Sequence, residues 1–422
     1  MVILPQKMKR MTPHYLLTQE MGCDGQVGAG LNCDSSTVEV VSQRLWHSMA
    51  QDDFAGDDPF DFLNSPVSRV FLFRHPLVRL AWLQLGKRSP INLRRVLAVP
   101  KRRNPKGVAL VILGLIARYQ VTAEPQLLNH AASLADWLVA QSCRGDSWKH
   151  HCWGYHFDWQ ARAFYVPAGK PNMITTYYVS AALFALGEMV GSDEFQAVAL
   201  DSSYFMVKDL LQTDRKQLCF SYIPGESTLV HNASLWGAAW AAKAGVALKD
   251  DRLQEVALET ARTSVDAQRE QGAWVYGERS HHQFIDGFHT GYNLEALDML
   301  RKALQFSEFD GAIACGLDYY RTTFFSEDGT ANYYHDNPYP LDMHSAVQGV
   351  ITLLKVNADE TSYALAERII NRAIQTLYLE KKGQFIYQRH RWLSNSINYM
   401  RWTQAWAYYG LNFFDQKMAE QS

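Results

Sequence analysis

Residues 273–300, AWVYGERSHHQFIDGFHTGYNLEALDML, set an aromatic–x–tyrosine element, Trp274-Val-Tyr276, about ten residues ahead of a long helical pattern. The arrangement recurs along the chain as Trp153-Gly-Tyr155, Phe220-Ser-Tyr222, Asn332-Tyr-Tyr334 and Phe385-Ile-Tyr387. Successive tyrosines stand about fifty to seventy residues apart, the length of two helices with their loops, so the chain reads as a repeat architecture and not as a mosaic of domains. Asn232, Asp286 and His344 each follow a repeat tyrosine at the same offset, and Asn398 follows Tyr387 one residue later. A repeated loop carrying a different polar group each time builds one composite site at the centre of a ring.

Two kinds of helix alternate after residue 107. Segments 108–119, 174–190, 233–244, 290–304, 345–356 and 397–413 are small, aromatic and apolar nearly all round, which marks them as buried. Segments 125–142, 194–211, 253–269, 312–325 and 363–379 are amphipathic and face water on one side. Turns from the first kind to the second are short (Gly191-Ser-Asp193, Leu248-Lys-Asp250). The return loops run to roughly 15–25 residues, a length that is usually functional. The pattern predicts an all-α (α/α)6 toroid over residues 65–422, with a helix at 67–85 as the sixth outer member. All the long loops and the N-termini of the inner helices then meet at one mouth, where free N–H groups and positive dipole ends favour anionic ligands. Residues 1–64, broken by glycines and by QDDFAGDDPFD, read as an irregular leader.

Composition narrows the classes. A net charge of −2 leaves no nucleic-acid footprint. Six cysteines without a CxxC pair suit a reducing compartment, the N-terminus lacks a secretory h-region, and the apolar run 108–117 is too short to span a bilayer, so a cytoplasmic protein outside the membrane is expected. Aromatic residues reach 13%, and rings in loops beside polar groups suit a sugar cleft. Neither a metal nor a cofactor is expected, since the histidines lack zinc spacing.

Four stretches, INLRRVLAVPKRRNPKG (91–107), FIDGFHTGYNLEAL (284–297), EDGTANYY (327–334) and YMRWTQAWAYYGL (399–411), resemble a family encoded in bacterial exopolysaccharide and capsule gene clusters. These polysaccharide biosynthesis proteins are similar in fold to six-hairpin glycosidases and terpenoid-cyclase toroids. The resemblance covers roughly residues 70–415. It implies a carbohydrate substrate, with a nucleotide sugar, a lipid-linked repeat and a polymer all left open, and an association with polysaccharide assembly machinery.

Candidate site residues gather at the predicted mouth. Asp286, His289 and Asn293 share one face at the start of an inner helix, close behind Tyr276 and Glu278. A carboxylate beside an imidazole fixes its tautomer and raises its basicity, as a general base requires; a helix cap with a core histidine is the plainer reading. His344 and Gln348 follow Asp342 in the next repeat, and two such histidines would be similar in type to the acid/base pair of N-acyl-glucosamine 2-epimerases. Arg401, next to Trp402 and Gln404, needs a carboxylate from the protein or from a substrate. Asn232, Asn293 and Gln348 are candidate hydroxyl binders, Trp159 and Trp274 candidate platforms, and Asp158, Gln404, Tyr222 and Tyr334 further binding candidates. The expected reaction is proton abstraction from a uronate-type sugar, of epimerase or lyase type. Glycoside hydrolysis by loop carboxylates (Asp158, Glu278, Asp286, Asp328, Asp336) and non-catalytic glycan binding stand as alternatives. Asp57-Asp58-Pro-Phe-Asp61 matches DDxxD, and its place in the leader makes that match read as chance.

Overall fold

The computed structural model describes residues 35–71, 75–161 and 165–421. The chain first forms α1 (Ser35–Gln51), α2 (Pro66–Phe71) and α3 (Pro76–Arg88). Helices α4 (Pro105–Thr122), α5 (Pro125–Ala140), α6 (Met173–Val190), α7 (Asp193–Phe205), α8 (His231–Leu248), α9 (Asp251–Val265), α10 (Gly287–Leu304), α11 (Asp310–Phe324), α12 (Met343–Val356), α13 (Glu360–Leu377) and α14 (Ala405–Gln421) follow. The even-numbered helices from α4 to α14 pack side by side, and α14 returns onto α4 to close the inner ring. Each inner helix except α14 leans on the odd-numbered helix that follows it. The architecture is the predicted (α/α)6 toroid, and its inner ring follows the buried periodicity of the sequence.

Closure uses a different helix from the expected one. The sixth outer helix is α1, which packs along α14 through the Ser42 Oγ to Asn412 Oδ1 hydrogen bond (3.0 Å) and the Trp46–Tyr408 ring contact (5.6 Å). The 67–85 pattern instead divides into α2 and α3, and α3 lies against residues 61–64 and 159–160 at the rim. The expected irregular leader is therefore corrected from Ser35 onward, because an amphipathic helix and three buried carboxylates (Asp57, Asp58, Asp61) belong to the ring. Residues 1–34 of that leader lie outside the described residues.

Local chemistry explains the repeat. Asn172 ends the loop before α6 by accepting from Thr175 N–H (2.8 Å), and Gly191 stops the helix in a left-handed conformation (φ 69°). Ser192 then caps α7, which gives the short inner-to-outer turn. The aromatic–x–tyrosine elements work through their backbone. Tyr222 O accepts from Met173 N–H (2.9 Å), Tyr276 O from His231 N–H (3.2 Å), and Tyr333 O from Gly287 N–H (3.0 Å). Each element thus satisfies an orphan donor at the start of the preceding inner helix. At the last inner helix the acceptor is Asp57 O, 3.2 Å from Met400 N, so the N-terminal segment plays the part of the missing repeat. Gly154 is required inside Trp153-Gly-Tyr155, since a β-carbon there would sit 2.3 Å from Lys170 O. Helix α6 is long and apolar enough to cross a membrane by composition, yet 72% of it is buried inside the ring.

Candidate functional site

A cavity of about 310 Å³ opens at the mouth where the inner helices begin. Its walls are loop aromatics. Tyr155 and Phe157 stack at 5.1 Å, Tyr155 OH meets Tyr222 OH at 3.2 Å, and Trp159 stands edge-on to Tyr222. Phe60, from the N-terminal segment, and Trp402, from a π-helical turn at Met400–Gln404, complete the apolar lining. Arg279 ties two of the loops together by bonding Glu226 (3.1 Å) and Thr228 Oγ1 (2.7 Å).

His289 is the polar centre of this cavity. Asp286 ends the preceding loop in extended backbone and accepts from His289 N–H at 3.0 Å, which starts α10 and turns the imidazole toward its cap. The ring Nδ1 lies 2.7 Å from Asp286 Oδ2. Asp286 is buried and His289 is one of the cavity-lining residues. Such a carboxylate directs the Nδ1 proton toward itself and leaves Nε2 as the basic nitrogen. Tyr276 packs on the imidazole with ring centres 4.6 Å apart; burial, reinforced by the Asp286 charge, raises its phenol above the ordinary value and keeps it protonated. His281 and His282 line the rim, and burial pushes His282 down to about 4.

Arg401 also lines the cavity, and its carboxylate partner is Asp58. Nε and Nη2 donate to the two Asp58 oxygens at 2.6 and 2.8 Å, with both side chains buried. Arg94 makes the matching bond to Asp61 (2.6 Å) and donates to Tyr399 OH (2.9 Å). The DDPFD run, expected to be incidental, is therefore the anchor of the site floor.

Among the expected site residues, His289, Tyr276, Tyr222, Trp159 and Arg401 meet at the cavity, with Asp286 directly behind His289. His344 does not line it. That ring is 2% exposed, stacks on Trp406 at 4.4 Å and holds Tyr292 OH at 2.6 Å; burial, then the nearby Lys106 charge, keep it neutral. Glu278 is held on the rim by Arg215 (2.5 Å) and Leu229 N–H (3.0 Å). Asp158 accepts from Ala168 N–H (2.6 Å) beside the antiparallel pairing of residues 159–160 with 165–166, and Tyr334 bridges to Asp286 through its backbone. Trp274 is a core residue whose Nε1 donates to Ser264 O (2.8 Å), so it is no platform. Gln404 is bound to the Phe385 backbone and Gln348 to Glu295, both buried. Asn232 and Asn293 are buried, and the Oδ1 of each finds no hydrogen-bond partner in the protein.

Of the carboxylates proposed for hydrolysis none lines the cavity; Glu226 does, and the sequence reading passed over it. It also passed over Asp58, although a buried arginine demanding a carboxylate and an acidic run without an assigned role were both visible. Among the described residues no cluster of three His, Cys, Asp or Glu side chains could hold a metal ion.

No protein-family model matches the sequence, and no curated protein matches it either. Solved structures do match in fold. Cellobiose 2-epimerase from Bacillus thermoamylovorans is 10% identical and superposes with a TM-score of 0.63 over 92% of this chain and 100% of its own. An unsaturated glucuronyl hydrolase specific for heparin is also 10% identical, with a TM-score of 0.63 over 92% of this chain and 97% of its own. A GH76 alpha-mannanase from Bacteroides thetaiotaomicron, 10% identical, superposes at 0.58 over 75% and 87% of the two chains. These neighbours share the six-hairpin toroid.

Proposed function

We propose that this chain is a carbohydrate-acting enzyme that removes a proton from a uronate-type sugar, as an epimerase or a lyase does, within cytoplasmic surface-polysaccharide biosynthesis. The observation that carries the reading is His289, which lines an aromatic cavity while Asp286 holds its Nδ1 at 2.7 Å. In this arrangement Nε2 takes the proton from carbon, Asp286 stabilises the imidazolium, and the protonated Tyr276 phenol is placed to donate. Aromatic walls from Tyr155, Phe157 and Trp159 suit the C–H faces of a pyranose. A volume of about 310 Å³ is at the small end of ligand pockets and suits one or two sugar rings. Epimerases and glucuronyl hydrolases on the same toroid support a sugar ligand by fold analogy. Resemblance to the exopolysaccharide family supports the pathway.

Glu226 favours one second reading, glycoside hydrolysis, because it is a carboxylate on the cavity wall. Proton NMR in D2O with a panel of uronate-containing sugars separates the readings. Deuterium entering C5 or C2, lost in His289→Ala with binding retained, is the expected result. New reducing ends without exchange would replace it by hydrolysis, and binding without any turnover would replace it by a glycan-binding role.

A further inference from the structure

Positive charge is unevenly placed along this chain. Between Asp61 and Glu124 it carries twelve lysines and arginines and no acidic residue, and between Glu380 and Asp415 another five and none, in a protein of net charge −2. The two stretches meet in the fold. Asn395 Nδ2 donates to Ser89 O at 3.1 Å, which ties the hairpin of residues 388–395 to the end of α3. Part of this charge is committed inside the protein. Asp61, Asp52 and Asp53 take Arg94, Lys101 and Arg103, Asp58 takes Arg401, and Lys106 is buried with Nζ 4.3 Å from the Tyr178 ring centre. Arg88, Arg95, Arg102 and Arg391 are exposed, and among the described residues none of them has a carboxylate partner.

Exposed apolar side chains occupy the same surface. Helix α3 turns Leu77, Val78, Ala81 and Leu85 outward along one stripe, while Leu83 and Gly86 face inward. The connector that follows exposes Ile91 (69%) and Val96 (83%) beside Arg95. That connector is pinned by Asn92 to Asp57 (2.7 Å) and by Arg94 to Asp61 (2.6 Å), so these residues project from a held segment. The hairpin closes with His390 N–H donating to Leu393 O at 2.7 Å. Its turn presents Leu393 and Trp392, the latter 86% exposed with the Arg391 guanidinium 4.9 Å from its ring centre. An indole so exposed contributes little to packing. Apolar side chains interspersed with arginines, with a tryptophan among them, suit a lipid headgroup layer.

We propose that α3, the 89–102 connector and the 388–395 hairpin form a docking face for an anionic lipid bilayer. The apolar side chains enter the headgroup layer and the arginines pair with lipid phosphates. Charge selects an anionic partner, and the exposed apolar groups select lipid over nucleic acid. The face adjoins the loop-bearing mouth. A hollow of about 300 Å³ lies against Leu80, Leu83 and Gln84 of α3 and shares Phe60 and Trp159 with the cavity. Docking brings that mouth to the membrane surface, where the sugar of a lipid-linked glycan lies. This choice of substrate rests on the proposed function; docking itself does not.

Co-sedimentation of the full chain with sugar-free vesicles tests docking apart from turnover, with near-UV circular dichroism as the check of fold. Wild type is expected to bind phosphatidylcholine vesicles containing phosphatidylglycerol about tenfold more tightly than pure phosphatidylcholine, and less tightly as salt is raised. Trp392→Ser with Leu393→Ser, and Arg95→Gln with Arg391→Gln, change exposed residues outside the cavity. Each pair is expected to weaken binding about tenfold and to leave the melting temperature unchanged. No binding to the anionic vesicles, or binding that neither pair weakens, would overturn the proposal. A wild-type dimer in light scattering that Trp392→Ser with Leu393→Ser dissociates would also overturn it, by giving the face to a second copy. Vesicle binding lost in both pairs, with no deuterium exchange into any sugar, would uphold the membrane face and sink the proton-abstraction reading.

Discussion

The toroid has two mouths, and the larger hollow is at the end without the loops. The opening between the C-terminal ends of the inner helices holds about 720 Å³, against about 310 Å³ at the loop-bearing mouth. Three of its lysines are paired: Lys355 meets Glu295 at 3.1 Å, Lys302 meets Asp298 at 2.9 Å, and Lys417 meets Glu420 at 2.5 Å, while Lys243 lies over the Phe184 ring at 4.4 Å. Lysines there also complement the negative ends of the helix dipoles. At the loop-bearing mouth the balance differs. His289 keeps one ring nitrogen for a ligand, and the walls are rings on long loops. Short turns leave the opposite end with little but helix ends to build from. Cavity size is thus a poor guide to chemistry; the guide is which polar groups remain uncommitted after folding.

The largest expected contrast between the mouths is in stability. Asp58→Ala leaves Arg401, 4% exposed, without its partner and should cost about 3–5 kcal/mol in urea unfolding. Glu295→Gln at the other mouth should cost less than that, because the Lys355 side chain is 36% exposed. Equal losses would show that the two buried pairs are equivalent.

Acid sensitivity should also be concentrated at the loop-bearing mouth. Burial pushes His156 and His231 down to about 4, below their unfolded value of 6.5. Their contribution is complete above pH 6.5 and is lost as pH falls toward 4, by up to about 3 kcal/mol each. Asp342, raised by burial to about 6, acts in the opposite sense and regains a similar amount between pH 6 and 4. His231→Gln should therefore flatten the fall in melting temperature between pH 6.5 and 4, and an unchanged slope would show that the imidazole is not buried neutral.

Smaller effects belong to binding. Trp159→Ala removes a wall of the loop-side cavity and should weaken sugar affinity about tenfold by calorimetry, or ~1.4 kcal/mol. Lys302→Ala at the opposite mouth should leave affinity unchanged and move stability by less than about 0.5 kcal/mol, since the side chain is 59% exposed. Loss of sugar binding in Lys302→Ala would relocate the ligand to the larger hollow.

The inner ring was readable because burial leaves a local signature: α6 and α8 are apolar nearly all round, whereas α9 and α13 carry polar stripes. His289 and Asp286 were readable for the same reason, being three residues apart on one helix start. His344 had a comparable setting, with Asp342 two residues before it at a helix start, and a different fate. Its position against Trp406 depends on how α12 and α14 pack, which no pattern within α12 encodes. Trp274 looked like a platform and is core, because the α9 carbonyl that receives its Nε1 becomes a neighbour only after the hairpin folds.

By itself the amino-acid sequence determined the repeat, the alternation of buried and amphipathic helices, the loop-bearing mouth and the histidine–aspartate pair within it. Each rests on contacts between residues a few positions apart. Only the tertiary structure decided that α1 closes the ring, that Asp58 serves Arg401 across 343 residues of chain, and that Lys106 stands among aromatic rings without a carboxylate. Those outcomes depend on which side chains meet across the toroid axis, where sequence distance carries no information and charge pairing is settled by proximity and burial.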